Sequence, residues 1–258
     1  MILVLFLFPI YWLFLTGFKT RLETFSIPPT FVFNPTFLNF ENVFLRRPFF
    51  LYLLNSVIVA SASTFVCLTA GSMAAYALAN FQFRGKENLA FWFLSIRMFP
   101  PIATVIPLFL IFKRVGIYGQ YQGIIFAHVL FNLPFAIWMM RGFFEDIPKE
   151  LEECAMVDGC SRMSAIRRVV LPVVQPGLFA TGVFCFIFSW NEFLFAFLLT
   201  NEATKTLPVA AASFVTDRAI LWGDCGVASF ITTIPILILV IFVQRHIVSG
   251  LTFGAVKA

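Results

Sequence analysis

Apolar residues fall in six long blocks, at about 1–18, 51–79, 89–112, 122–140, 173–199 and 226–247. Polar breaks separate them at 19–50, 80–88, 113–121, 141–172 and 200–225, with a tail from 248. A helix crossing a bilayer needs roughly 20 mostly apolar residues, so the pattern predicts an all-α integral membrane protein of about six transmembrane helices, read as one transmembrane domain over 1–258. Strands are disfavoured. Strict alternation is absent, and the blocks exceed the roughly 9–11 residues of a barrel strand. Backbone groups in lipid must pair internally, which leaves helices.

The breaks have their own signals. Pro28, Pro29, Pro35 and Pro48 predict a mostly non-helical stretch at 19–50. In 200–225, the run from Val209 to Val215 can form a short helix between Pro208 and Gly223. Pro100, Pro101, Pro107, Pro134 and Pro235 lie in or at the ends of blocks, where each removes a backbone donor and tends to kink its helix. Small residues cluster in the second block, at Ala60–Ser63 and around Ala70–Ala75, and such runs allow close helix approach.

The break at 141–172 is different. It is markedly polar and yet looks helical. Pro148 suits a first helical turn, and Lys149 to Val157 follow as good helix positions. Glu150, Glu152 and Glu153 suit the positive end of the helix dipole. Gly159 can adopt a left-handed C-terminal cap, and Ser161 can cap a second helix over Arg162 to Leu171. Met163, Ile166, Val169 and Val170 give that helix an apolar face, and Pro172 leads into the next block. A connector between spans needs only a few residues. An ordered one of this length implies that something docks on it.

Composition agrees with a membrane protein: 60% of residues are hydrophobic and 12% charged, with mean hydropathy +0.91, where soluble domains carry about 25% charged residues. The net charge of +5 comes from residues scattered through the breaks, without the dense basic run of a nucleic-acid patch. With the N-terminus inside, nine basic residues lie in inner breaks and eight in outer ones, so charge alone hardly decides orientation. Residues 1–18 have no basic flank ahead of the apolar run and no clear small-residue cleavage site before Lys19 and Arg21. They read as a retained first helix, and the abrupt start at Met1 points to a longer natural N-terminus. Five cysteines without a C-x-x-C pair, and only two histidines, His128 and His246, disfavour a metal site or disulfide framework.

Within the spans, charged residues are default candidates for a translocation path. Glu192, beside Trp190 and Asn191, is the foremost, and Arg97 is the other. Polar glue between helices is the plainer reading of Asn191 and Glu192. Neither histidine has a Ser or Cys companion at motif spacing, which disfavours a stand-alone enzyme.

Glu153-Cys154-Ala155, then Asp158-Gly159, then Leu171-Pro172 resemble the EAA loop of ABC-importer permeases, with Cys154 standing where Ala is usual. Phe8-Pro9-Ile10-Tyr11-Trp12, Asn55-Ser56, Arg97-Met98-Phe99-Pro100-Pro101, Asn132-Leu133-Pro134-Phe135, Ser189-Trp190-Asn191-Glu192-Phe193 and the tail Gly250–Lys257 look like the second, six-helix permease of maltose-type carbohydrate uptake systems. The resemblance implies a type I importer permease fold, and a sugar or polyol as cargo. It makes Glu153, Cys154, Ala155, Asp158, Gly159, Leu171 and Pro172 an ATPase-coupling set. It implies as partners a homologous permease subunit, a dimer of ATP-binding subunits and an extracytoplasmic sugar-binding protein, in a bacterial inner membrane. It further implies that the tail reaches between the ATPase subunits, that 200–225 is an external loop, and that the coupling loop is cytoplasmic. ATP and Mg would be held by the ATPase. This chain has no Walker A motif, since Gly85-Lys86 is followed by Glu87 with no glycine five before it. The rival is a secondary transporter, which would show two related halves and no coupling insert.

Overall fold

The computed structural model describes residues 2–216 and 220–252, with only the backbone described for 2–4 and 242–252. Residues 253–258 of the family-like tail lie outside the described residues. In chain order the helices are α1 (Ile2–Gly17), α2 (Arg21–Thr24), α3 (Leu38–Phe44), α4 (Phe49–Asn80), α5 (Lys86–Met98), α6 (Pro101–Val115), α7 (Tyr121–Glu145), α8 (Lys149–Val157) and α9 (Arg162–Ala165). A π-helical turn at Ile166–Val170 leads into α10 (Leu171–Val173), α11 (Gln175–Trp190), α12 (Leu194–Leu199), α13 (Leu207–Ala212) and α14 (Trp222–Thr252). No strand occurs among the described residues.

Among the described residues, three helices meet the length and hydropathy of a span on their own: α4, α7 and Trp222–Ile241 of α14. The block at 89–112 is instead a bent pair, with α5 and α6 meeting at 92°. Pro100 and Pro101 explain the corner. Two successive residues lack N–H donors, and each ring pushes the residue before it out of the helical region. Phe99 (ψ 132°) and Pro100 (ψ 124°) are accordingly extended. Pro107, Pro134 and Pro235 lie inside continuous helices. The block at 173–199 is also interrupted. The helical stretch 162–173 meets α11 at 73°, and α11 ends at Trp190 before α12 begins at Leu194. The first block forms the shorter α1, of 16 residues.

The chain groups into two compact units, with boundaries inside α4, between α12 and α13, and inside α14. One holds residues 1–58 and 200–238. Here Gly17 and Gly226 bring α1 and α14 close: a Cβ at Gly17 would lie 2.9 Å from Val227, and one at Gly226 3.0 Å from the Leu13 carbonyl. Asn39 closes the turn after α1 by donating to the Gly17 and Lys19 carbonyls, 2.9 Å each. Thr20 and Glu23 form a capping box on α2, and hydrogen bonds from Thr20 hold the Glu23 carboxyl below its usual range. The family-like Asn55-Ser56 pair has a local task. Asn55 donates to the Ala203 and Lys205 carbonyls at 2.9 Å each, and Ser56 Oγ accepts from Leu207 N–H at 2.7 Å, anchoring the segment that enters α13.

The other unit holds 59–199 and 239–258, and α7 is its centre, packed by α5, α11 and α12. The small residues of α4 work as expected for close packing. Ala60, Ser63, Gly71 and Ala75 are buried, and a Cβ on Gly71 would lie 2.9 Å from Ala136 Cβ on α7.

Candidate functional site

The insert folds as the sequence predicts at its turn. Asp158 is the C-cap of α8 and Gly159 takes φ +88°. Cys160 N–H donates to the Ala155 carbonyl at 3.0 Å and Gly159 N–H to that of Met156 at 3.1 Å. These are the two bonds of a Schellman cap. Nothing lies within 4 Å of a Cβ added to Gly159, so the turn demands glycine for its backbone angle and not for space. Ser161 caps α9 by accepting from Ser164 N–H at 3.4 Å. Pro148 sits one position earlier than predicted, as the N-cap of α8.

The second arm differs in two ways. It runs to Val173 through the π turn, in which Leu171 N–H reaches the Ile166 carbonyl. Pro172 has no N–H to give the Arg168 carbonyl, and a register shift there is the backbone's accommodation. Its apolar face also omits Met163, which is 55% exposed. Val170 and Val174 pack instead with Ala75, Tyr76 and Ala79 of α4 and with Met140 and Phe144 of α7, flanked by Ile166 and Leu171.

The predicted coupling residues therefore divide. Glu153, Cys154, Asp158, Gly159 and Pro172 are exposed and Ala155 is partly so, while Leu171 belongs to the core that seats the insert. The sequence reading missed Glu152. It assigned this residue to the helix dipole, but its side chain is buried against α4, where Tyr76 Oη donates to Oε1 at 2.7 Å and Oε2 at 2.8 Å. Arg162 Nε lies 3.7 Å from Oε1. A pair of adjacent glutamates on a helix, with one face required to pack, is the signal that one of them turns inward.

The proposed path residues are not brought into one site. Asn191 is exposed and donates to the Ile187 carbonyl of its own helix at 3.0 Å. Arg97 lies over three rings, with its Cζ 4.5 Å from Phe135, 4.8 Å from Phe188 and 5.8 Å from Phe131. It has no ion pair among the described residues, and its Nη1 is buried without a hydrogen-bond partner. It borders a cavity of about 390 Å³ at the α5–α6 corner, with Phe99, Thr104, Phe131 and Phe195 also in the lining. Glu192 caps α12, accepting from Phe195 N–H at 2.9 Å and Ala196 N–H at 3.0 Å.

Glu192 also reaches a buried polar cluster that sequence spacing did not reveal. His128 Nε2 faces Glu192 Oε2 at 3.4 Å, without the alignment of a hydrogen bond. His128 Nδ1 lies 2.8 Å from Ser189 Oγ, and Ser189 Oγ lies 2.6 Å from Ser63 Oγ and 3.4 Å from Asn132 Nδ2. With one proton and two lone pairs, the Ser189 hydroxyl is saturated by its three partners Ser63, His128 and Asn132. The cluster ties α4, α7 and α11 at the point where α11 gives way to α12. Its sequence signal is His128 and Asn132 four apart in the apolar middle of α7.

The apolar spans and the ordered, partly exposed helical insert describe a helical membrane component. The chain belongs to the family of binding-protein-dependent transport system inner membrane components, whose model matches residues 67–252. It is 38% identical over 256 residues to a trehalose/maltose transport system permease protein, MalG, of Thermococcus litoralis, covering 97% of this chain and 91% of that one. It is 38% identical over 252 residues to the diacetylchitobiose uptake system permease protein DasC of Streptomyces coelicolor, covering 97% and 91%. Among solved structures, a bacterial ABC transporter involved in import of the acidic polysaccharide alginate matches with TM-score 0.80 at 22% identity, covering 95% of this chain and 91% of that one. The fold is that of a type I importer permease, and the secondary-transporter reading is set aside.

Proposed function

We propose that this chain is one of two homologous permease subunits of an ATP-driven importer that takes a sugar or polyol from an extracytoplasmic binding protein across the plasma membrane. The names of the relatives support the cargo class. The observation that carries the energy-coupling role is α8. Its outer face presents Glu153, Cys154, Ala155, Asp158 and Gly159, while its inner face is fixed to the bundle through Glu152. Such a face suits docking in a groove of an ATP-hydrolysing partner. That partner, and not this chain, holds ATP and Mg. Docking there makes the 141–172 loop cytoplasmic, which sets the orientation that charge counting leaves open.

Cargo passage falls to the bent elements. Glu192 and Arg97 flank the α11–α12 and α5–α6 breaks, and the cavity beside Arg97 offers aromatic faces and one cation. Asn191 is exposed at the same break as Glu192.

The test is Gly159→Pro in the assembled complex. Proline fixes φ near −65°, against the +88° observed at Gly159. The Schellman turn is then lost, and ATP hydrolysis is expected to separate from uptake, or the ATPase to detach. Unchanged transport with normal assembly would reject the docking role.

A further inference from the structure

We infer that Tyr76 and Glu152 form the tether through which movement of α8 reaches the membrane, making Tyr76 a positioning residue for energy coupling. The inference rests on the docking role proposed for α8.

Glu152 is 8% exposed, on a helix whose neighbouring Glu153 is open to solvent. Burying a carboxylate is unfavourable unless it is paired and hydrogen-bonded. Tyr76 supplies a single O–H, shared between the two carboxylate oxygens at 2.7 and 2.8 Å. One proton cannot fully satisfy both acceptors. Arg162, 3.7 Å from Oε1, provides the remaining countercharge. The arginine is itself placed, with its Cζ 5.2 Å above the Phe81 ring, and Phe81 in turn packs edge-on to Tyr76 at 6.0 Å. Both arms of the insert thus converge on one buried carboxylate, and that carboxylate is bonded to the last turns of a 32-residue span.

The rest of the seat is apolar: Val170 and Val174 against Ala75, Ala79 and Phe144. Apolar contacts resist separation but are non-directional and tolerate sliding. A short hydrogen bond to a buried charge is directional and among the stronger ones. Tyr76–Glu152 is therefore the contact that fixes α8 in register on α4, so that a push on α8 moves the span instead of slipping over it.

The experiment uses the whole complex in proteoliposomes. In a Cys154→Ser, Cys160→Ser, Cys225→Ser background, spin labels are placed at the exposed positions Met73→Cys and Val157→Cys. Their distance is compared between the nucleotide-free and ATP–vanadate states. With Tyr76 intact the distance is expected to stay the same in both states. With Tyr76→Phe or Glu152→Ala it is expected to become nucleotide-dependent, and Glu152→Gln, which keeps an acceptor for the tyrosine but loses the charge and its Arg162 contact, is expected to give a smaller nucleotide-dependent change than either. A separate preparation retains Cys154, which is exposed on α8, and measures thiol crosslinking to the ATPase. Absence of that crosslink in the wild type would reject docking at α8. Crosslinking with a fixed distance in Tyr76→Phe, or a nucleotide-dependent distance in the wild type, would reject the tether alone.

Discussion

Ser189 shows how much one buried hydroxyl can carry in a helical bundle. It is 5% exposed and meets Ser63, His128 and Asn132. Replacing it with alanine leaves a buried imidazole nitrogen without its partner, which costs about 1–3 kcal/mol. Ser189→Ala is therefore expected to lower the thermal midpoint of the purified protein. Ser63→Ala should cost less, because Ser189 keeps its bonds to His128 and Asn132. Equal shifts in the two variants, followed by thermal unfolding in detergent, would show that Ser189 is not the hub. The cluster also illustrates what one sequence hides. Ser189 and His128 are 61 residues apart, and no local pattern pairs them. Glu152 is hidden differently: its partner Tyr76 lies 76 residues away. Gly159 was legible because its demand is local, a left-handed angle after a helix of good formers.

At the level of elements, all six hydrophobic blocks are helical, because lipid leaves the backbone one regular solution, but among the described residues three make unbroken spans, or up to five if each bent pair is one span, and α1 is shorter. Block length did not reveal shape. The 89–112 block reads as one span because hydropathy averages over a corner that two prolines make in two residues. If the pair alone sets the 92° bend, then Pro100→Ala with Pro101→Ala restores two backbone donors and lets α5 run into α6. The expected outcome is a longer distance between spin labels at Trp92 and Leu110, both exposed, than in the native sequence. An unchanged distance would assign the bend to the packing of α6 against α12 instead. The insert was the most legible element of all. Its caps, turn and polarity are short-range signals, whereas the inward Glu152 and the outward Met163 depend on what the insert meets in the folded chain.

For the whole molecule, the proposed docking role has energy enter through the insert, and on that reading selectivity falls to the breaks in the spans and to other chains. Glu192 is the residue on which two accounts of the breaks divide. As a cap it accepts from Phe195 and Ala196 N–H, and as a charge it faces His128 at 3.4 Å. Glu192→Gln keeps the size and one carbonyl acceptor but removes the charge. If the carboxylate serves only to join helices, the variant should assemble less well with the proposed partner permease and ATPase, because a capping carboxylate contributes about 0.5–2 kcal/mol and the His128 contact is weakened. If it lines the path, assembly should be normal while the ranking of a panel of sugars in uptake changes. Arg97 gives the contrast. It is held by aromatic faces and has no carboxylate partner among the described residues, so Arg97→Gln is expected to leave assembly intact whichever account of Glu192 holds. Measuring assembly by copurification and uptake by the same sugar panel in both variants separates helix joining from cargo selection, because only a path role moves the sugar ranking without moving the yield of complex.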